Sequence, residues 1–71
     1  MYDDNISREE LINTALDKKQ DSISRSQALD ALVLRGDFNA LKLINELLSD
    51  KDQFVRLIAE FLYEDVTGDK L

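Results

Sequence analysis

The chain has 71 residues, a length that supports one domain close to the lower limit for independent folding. Its hydrophobic share of 44% and charged share of 34% are typical of a globular protein, and its net charge of −6 gives no electrostatic drive toward nucleic acid. Because histidine and cysteine are both absent, nucleophilic Ser-His and Cys-His pairs, disulfides, and zinc and haem sites are excluded.

Membrane and leader segments are also not predicted. No stretch approaches the roughly 18 uninterrupted apolar residues of a membrane span. The start MYDDNISREE is acidic and polar, whereas a signal peptide needs a basic start followed by an apolar run. We therefore expect a cytoplasmic protein that does not bind membranes.

The spacing of apolar residues predicts a chain made only of helices. Proline is absent, glycine occurs twice, and apolar residues recur with the roughly 3.6-residue period of an amphipathic helix. We predict a single all-α domain of two antiparallel hairpins, as a small α-solenoid or a compact four-helix bundle. The helices are expected near 7–18, 23–35, 38–49 and 53–66, with hairpins at 7–36 and 37–68, flexible residues 1–6 and a tail at 69–71.

The first helix has a recognisable start. Ser7 and Glu10 have the spacing of a capping box, and Ile6 and Leu11 have that of a hydrophobic staple. The second helix begins inside DSISRSQ, where Asp21, Ser22 and Ser24 all compete as the N-cap. An aspartate or a serine is therefore expected to start both helices of the first hairpin.

The tripeptide Arg35-Gly36-Asp37 that ends the second helix has two interpretations. Cell-adhesion ligands carry it in an exposed, extended loop of a secreted protein, and nothing here indicates secretion. In the other interpretation, Gly36 is the left-handed stop of the second helix, since glycine has no Cβ to clash there. The carboxylate of Asp37 then caps the third helix. We favour this boundary between two helices.

The fourth helix carries more apolar residues than one buried stripe needs. We predict that Phe54, Leu57, Phe61 and Tyr63 bind a partner, because exposed aromatic residues are common anchors of interfaces. The partner is either a second copy of the chain or another protein. A basic surface on the partner would suit the acidic charge of this chain. The alternative is that these residues fill the core of a closed monomer.

The predicted core draws on all four helices. It consists of Leu11, Ile12, Ala15, Leu16, Ala28, Ala31, Leu32, Leu43, Ile44, Leu47, Ile58, Ala59 and Leu62.

The two halves of the chain form an internal repeat. VLRGD at 33–37 corresponds to DVTGD at 65–69, and Gly36 and Gly68 are 32 residues apart. Arg25 and Arg56 are 31 residues apart, and similar apolar residues follow each of them. A period of this length with two helices per unit is typical of helical repeats.

The stretch SRSQALDALVLRGDFNALKLINELLSDKDQFVRLIAEFLYEDVTGD resembles the HEAT repeat, particularly the short bacterial form of phycobilin-lyase-type proteins. The resemblance covers about residues 24–68, and residues 1–23 fit it only loosely, with Ser24 where valine is usual. The matching positions are Arg25, Ala28, Ala31, Leu32, Gly36, Asp37, Ala40, Leu41, Ile44, Leu47, Leu48, Asp50, Asp52, Val55 and Arg56.

The resemblance also implies a structural brace. In HEAT-like arrays an arginine after the aspartates connects neighbouring turns, which implies pairs of Asp50 or Asp52 with Arg56, and of Asp21 with Arg25. The alternative is an ordinary N-cap aspartate beside a solvated arginine.

No catalytic, cofactor or metal site is predicted. DKDQFVRLIAE has the Asp-x-Asp spacing of a calcium loop, but Val55 stands where that loop needs glycine. Neighbouring acids such as Glu64 and Asp65 diverge on a helix instead of converging on a substrate. A chain of this size also has little volume for a small-molecule pocket.

Three functions remain open for such a chain. The first is a small protein-interaction module that serves as a regulator or adaptor. The second is an acidic inhibitor, of the immunity-protein or phage-antagonist kind, that blocks a basic surface of a nuclease or another nucleic-acid-binding protein. The third is an accessory subunit of an enzyme.

Overall fold

The computed structural model describes residues 6–70, and within that range it contains four helices and no strand. This confirms the predicted all-α fold. The expected flexibility of the N-terminus and the expected tail fall largely on residues 1–5 and 71, which lie outside the described residues. The helices are α1 (Arg8–Leu16), α2 (Ser22–Leu34), α3 (Ala40–Leu47) and α4 (Gln53–Thr67).

The helices pack as two hairpins side by side. α1 packs on α2, α3 packs on α4, and α2 also packs on both α3 and α4. The hydroxyl of Ser22, the first residue of α2, donates a hydrogen bond to the carboxylate of Asp52, the N-cap of α4. Because α2 and α4 pack together with their N-terminal ends adjacent, they run in the same direction. None of the described helices has the length and apolar character needed to cross a bilayer.

The first helix ends earlier than predicted. α1 stops at Leu16, and Asp17 is extended, with φ −76° and ψ 107°. The carboxylate of Asp17 accepts a hydrogen bond from the Lys19 backbone N–H at 2.9 Å. Aspartate side chains accept hydrogen bonds from nearby backbone N–H groups and so favour turns over a continued helix. Lys18 and Lys19 therefore lie in a loop instead of in the last helical turn.

The caps follow local sequence signals. The hydroxyl of Ser7 accepts from the Glu10 N–H at 3.1 Å, as the capping box predicts. Asp21 is the cap of α2, and its carboxylate accepts from the backbone N–H and the hydroxyl of Ser24. Asp52 is the N-cap of α4, and its carboxylate also accepts from backbone N–H groups.

The turn at Gly36 has the predicted left-handed conformation, with φ 68°. The Asp37 N–H donates to the Leu32 carbonyl and the Gly36 N–H to the Val33 carbonyl, both at 3.0 Å, which is the Schellman arrangement of a helix end. The prediction that Asp37 caps the next helix is wrong, because α3 begins only at Ala40 and its N-cap residue makes no side-chain cap. The Asp37 carboxylate instead accepts from the Asn39 N–H at 2.8 Å and stabilises the turn before α3.

The observed core is close to the predicted core but differs from it at several positions. Leu16 is 38% exposed because α1 ends there, while Ile12, Ala31 and Ile58 are only partly buried. Leu29 and Val55 are fully buried and were not predicted. Leu29 is buried because α2 packs against three other helices and buries a wider arc than one stripe. The buried cluster consists of Leu11, Ala15, Ala28, Leu29, Leu32, Leu43, Ile44, Leu47, Val55, Ala59 and Leu62.

Candidate functional site

A buried ion pair holds the two hairpins together. Arg25 in α2 donates from Nη1 to Oδ1 of Asp50 at 3.1 Å and from Nη2 to Oδ2 at 2.6 Å. The two side chains are 3% and 2% exposed. The Nε of Arg25 also donates to the Ala15 carbonyl at 3.0 Å, and Lys18 donates to Asp50 from the rim. The hydrogen bonds from Arg25 hold the pKa of Asp50 far below its usual range.

Neither arginine–aspartate ion pair that the resemblance implied forms among the described residues. Arg25 pairs with Asp50 of the other hairpin instead of with Asp21, which caps α2. Arg56 reaches the same loop through the backbone, since its Nη1 donates to the Asp50 carbonyl at 2.7 Å. Asp52 accepts from the Ser22 hydroxyl, and this hydrogen bond lowers its pKa. The resemblance pointed to these residues, but only the packing of the hairpins decides which aspartate meets which arginine.

A second ion pair links α1 to the turn before α3. Arg8 donates from Nε to Oδ2 of Asp37 at 2.6 Å and from Nη2 to Oδ1 at 3.1 Å, which lowers the pKa of Asp37. The Asp37 side chain is only 7% exposed, and the Arg8 guanidinium also lies 4.6 Å from the centre of the Phe38 ring. An adhesion ligand would need this carboxylate in an exposed, extended loop, so the geometry favours the boundary between helices.

An open apolar groove lies between α2 and α4 on the described surface. Its volume is about 450 Å³, a size typical of ligand and peptide sites. It is lined by Ile23, Ser26, Gln27, Asp30, Phe54, Ile58, Phe61 and Leu62.

The groove gathers two of the four residues that we predicted to bind a partner. Phe54 is 43% exposed and Phe61 is 60% exposed, and both line the groove. Leu57 is exposed but is not one of the lining residues. Tyr63 is the correction, since its side chain is partly buried and packs against the core. The groove is therefore formed by Phe54 and Phe61, with Leu57 outside it and Tyr63 part of the fold.

The other wall of the groove was missed from the sequence. On α2, Ile23 is 60% exposed, and Asp30 and Gln27 lie along the same wall. Residues 23, 27 and 30 have the i, i+4, i+7 spacing of one helix face. This signal was available, but a single isoleucine among polar residues does not mark a surface until Phe54 and Phe61 lie opposite it.

One polar group on the groove wall is not satisfied within the chain. The Ser26 hydroxyl is buried and is the one buried side-chain polar atom without a hydrogen-bond partner among residues 6–70. Buried polar groups are nearly always paired in native proteins. The packing around this part of α2 is thus less complete than in the Arg25–Asp50 cluster.

The structure offers little for other chemistry in the range that it describes. No group of three or more acidic side chains there is arranged to hold a metal ion. A second pocket of about 160 Å³ lies between α1, α2 and α3 near Asp37, Asn39 and Lys42, which is small for a ligand site. The α2–α4 groove is therefore the strongest candidate for a functional site. In comparisons with known proteins, no family model, no curated protein and no solved structure matches the chain.

Proposed function

We propose that this chain is a small, non-enzymatic protein-interaction module of the cytoplasm that acts as a regulator or adaptor. The observation that carries the proposal is the α2–α4 groove, in which two phenylalanines and an isoleucine remain exposed beside a complete core. Contiguous apolar surface rimmed by polar residues marks interaction sites, whereas single exposed apolar residues do not. Aromatic side chains in such a depression are suited to anchor a partner.

The two hairpins are proposed to be HEAT-like units. The support is the buried Arg25–Asp50 pair, which joins α2 of the first hairpin to the loop between α3 and α4 of the second, and the same direction of α2 and α4. In a helical repeat, each unit buries a face that it cannot bury alone. Such arrays serve as scaffolds for binding, but a repeat fold does not define the partner.

An acidic inhibitor of a basic protein is a second candidate. The net charge of −6 favours it, because complementary charge speeds association with a basic surface. In this version of the function the target would be a nuclease or another nucleic-acid-binding protein, and the bound chain would cover its basic surface.

The test uses two matched variants that each remove one exposed phenylalanine. Phe61 lies in the groove, whereas Phe38 is 82% exposed and lies in the turn before α3. The tagged wild-type chain, Phe61→Ala and Phe38→Ala would serve as baits in an extract of the native host, after circular dichroism has shown that both variants are folded.

We expect a partner that binds the wild type and Phe38→Ala but is lost with Phe61→Ala. With the purified partner, calorimetry should show an affinity at least about tenfold weaker for Phe61→Ala, since truncating a hot-spot aromatic residue costs about 2 kcal/mol or more. A partner that binds all three chains equally would contradict the use of the groove. Inhibition of a nuclease by the wild-type chain would identify the second candidate.

A further inference from the structure

We infer that the α2–α4 groove binds a basic amphipathic helix of a partner protein. The apolar side chains of that helix lie between Ile23 on α2 and both Phe54 and Phe61 on α4. Its basic side chains lie toward Asp30 and Asp65. This inference rests on the proposed function and adds to it the kind of partner and the direction of its charge.

The shape of the groove fits a helix. On α2 the wall extends from Ile23 to Asp30, and on α4 it extends from Phe54 to Phe61, seven residues in each case. Seven residues are about two turns, or about 10 Å, of helix. Two helices that lie side by side in the same direction, each with an exposed stripe, form a trough in which a third helix completes a three-helix arrangement. Anchors at i, i+3, i+4 and i+7 of that helix would match this length.

An extended peptide is a poorer fit. Strand addition requires an exposed sheet edge that offers unpaired backbone groups, and residues 6–70 contain no strand. The groove walls present side chains from two helices, and the backbone groups of those helices are already paired within them. The recognition available here is therefore by side chains, which suits the apolar face of a helix.

The charges of the groove indicate the sign of the partner's charge. Asp30 lines the groove, and Asp65 lies 11 residues after Phe54, about three turns along the same face of α4. Both are exposed, and within the described part of the chain neither accepts a hydrogen bond or joins an ion pair. Asp37, Asp50 and Asp52, by contrast, are all bonded inside the fold.

The C-terminal ends of α2 and α4 add to the negative charge near Asp30 and Asp65. Asp30 and Asp65 lie in the C-terminal halves of α2 and α4, which run in the same direction. Each helix C-terminus carries a partial negative charge, and two such ends side by side attract cations. Arg35, at the end of α2, donates to the Ile6 carbonyl beside α1. The groove is thus apolar along α4 from Phe54 to Phe61 and carries negative charge at the end near Asp30 and Asp65, as a helix with basic residues toward one end would require.

A second copy of this chain is a worse occupant for the same reason. Each copy carries a net charge of −6, so a dimer through this face would bring two sets of unpaired carboxylates together. End-to-end stacking of hairpins is also unfavourable. Glu60 and Glu64 of α4 stand at the positions that correspond, 31 residues earlier, to Leu29 and Val33 of α2. Leu29 is fully buried whereas Glu60 is exposed, and a polar outer face is typical of the last unit of an array.

The experiment uses three synthetic helical peptides of 15 residues as probes. The first has leucines on one face, spaced i, i+3, i+4 and i+7, with lysines at the other polar positions. The second has the same leucines with glutamates in place of the lysines, and the third contains the residues of the first in an order that distributes the leucines around the helix. Fluorescence anisotropy gives the affinities, and amide chemical shifts of the labelled full chain give the site.

We expect the lysine peptide to bind at least about tenfold more tightly than either of the others, and to shift amides of α2 and α4 around the groove. The double variant Asp30→Asn/Asp65→Asn should weaken its binding several-fold and reduce the salt dependence. Glu9→Gln/Glu10→Gln is the matched control, since it makes the same change of net charge on the exposed side of α1 and should bind as the wild type does.

Equal binding of the lysine and glutamate peptides, shifts outside the groove, or no binding of the lysine peptide at millimolar concentration would each overturn the inference. So would a dimer at pH 7 that Phe61→Ala abolishes, because a second copy would then occupy the groove under the conditions in which the partner binds. If a host protein still depends on Phe61 while the lysine peptide fails, the interaction function stands and only the basic helix is wrong. If no host protein depends on Phe61 either, both proposals fail.

Discussion

Aspartates do two different kinds of work in this chain. Those at helix starts and in loops, such as Asp21, Asp37, Asp50 and Asp52, accept hydrogen bonds from neighbouring N–H groups, serine hydroxyls or arginines, and the pKa of each is lowered by those bonds. Asp30 lies on an exposed helix face and is not used by the fold. The first kind explains the stability of a small domain, and the second is available for a partner.

At Gly36 the backbone conformation alone favours glycine over other residues. Its φ is 68°, and a Cβ added there would meet no atom within 4 Å. Gly36→Ala should therefore lower the free energy of unfolding by about 1–2 kcal/mol, which is the strain of a left-handed residue with a Cβ. Urea denaturation measures this difference. Gly36→Asn should cost less, because asparagine tolerates this region better, and an equal or larger loss for Asn would contradict the explanation.

At the scale of the elements, the Arg25–Asp50 pair determines how the hairpins meet. It joins α2, the loop before α4 and, through the Ala15 carbonyl, the C-terminal end of α1. A helix C-terminus has carbonyls without partners inside the helix, and Arg25 satisfies one of them from within the core. Three elements therefore depend on one guanidinium.

Breaking this pair should be costly. Asp50→Asn leaves the Arg25 charge buried without a carboxylate, so we expect the free energy of unfolding at pH 7 to fall by about 3–5 kcal/mol. Urea denaturation of the variant and of Asp30→Asn, which removes an unpaired carboxylate, provides the comparison. The Asp30 variant should unfold like the wild type. A loss at Asp50 no larger than that at Asp30 would contradict the role of the pair.

The same pair predicts how stability depends on pH. Because the pKa of Asp50 is lowered by folding, the unfolded chain binds more protons between the two pKa values. The stabilisation is thus fully present above the unfolded value of about 3.9 and is lost as pH falls below it. The difference in stability between the wild type and Asp50→Asn should therefore be constant at neutral pH and shrink below about pH 4. A difference that grew in acid would have the wrong sign.

At the scale of the whole molecule, α2 is the central element. It packs on the other three helices, and its remaining face forms one wall of the groove. The core is thus complete without Ile23, Phe54 and Phe61, which line the groove and are left exposed by the same packing that encloses Leu29 and Val55. A surface of this kind can bind a partner without unfolding any part of the domain.

Net charge should keep the chain monomeric at neutral pH. Each copy carries −6, and the sequence pI is about 4.4, so sedimentation at tens of micromolar and low salt should show a monomer at pH 7. Approach to the pI removes the repulsion between copies, and self-association through the groove should then increase. Phe61→Ala should reduce that association, whereas Phe38→Ala should not. A wild-type dimer at pH 7 and low salt would contradict this expectation.

Local chemistry in the sequence determined the helices, the caps of α1 and α2 and the stop at Gly36, whereas the cap expected at Asp37 did not form. A serine or aspartate before an apolar stripe, the absence of proline and a glycine at a helix end act through neighbouring residues, so they can be recognised without the fold. The excess of apolar residues in α4 likewise indicated Phe54 and Phe61 as surface residues.

The tertiary structure decided what depends on residues far apart in the chain. Arg25 and Asp50 are 25 residues apart, and the expected partner of Arg25 was Asp21 until the hairpins were packed. Leu29 is buried because α2 has three neighbouring helices, and Leu16 is exposed because α1 ends there. Neither outcome is encoded in the apolar period of a single helix. The wall formed by Ile23 and Asp30 became a groove only when α2 came to lie beside α4.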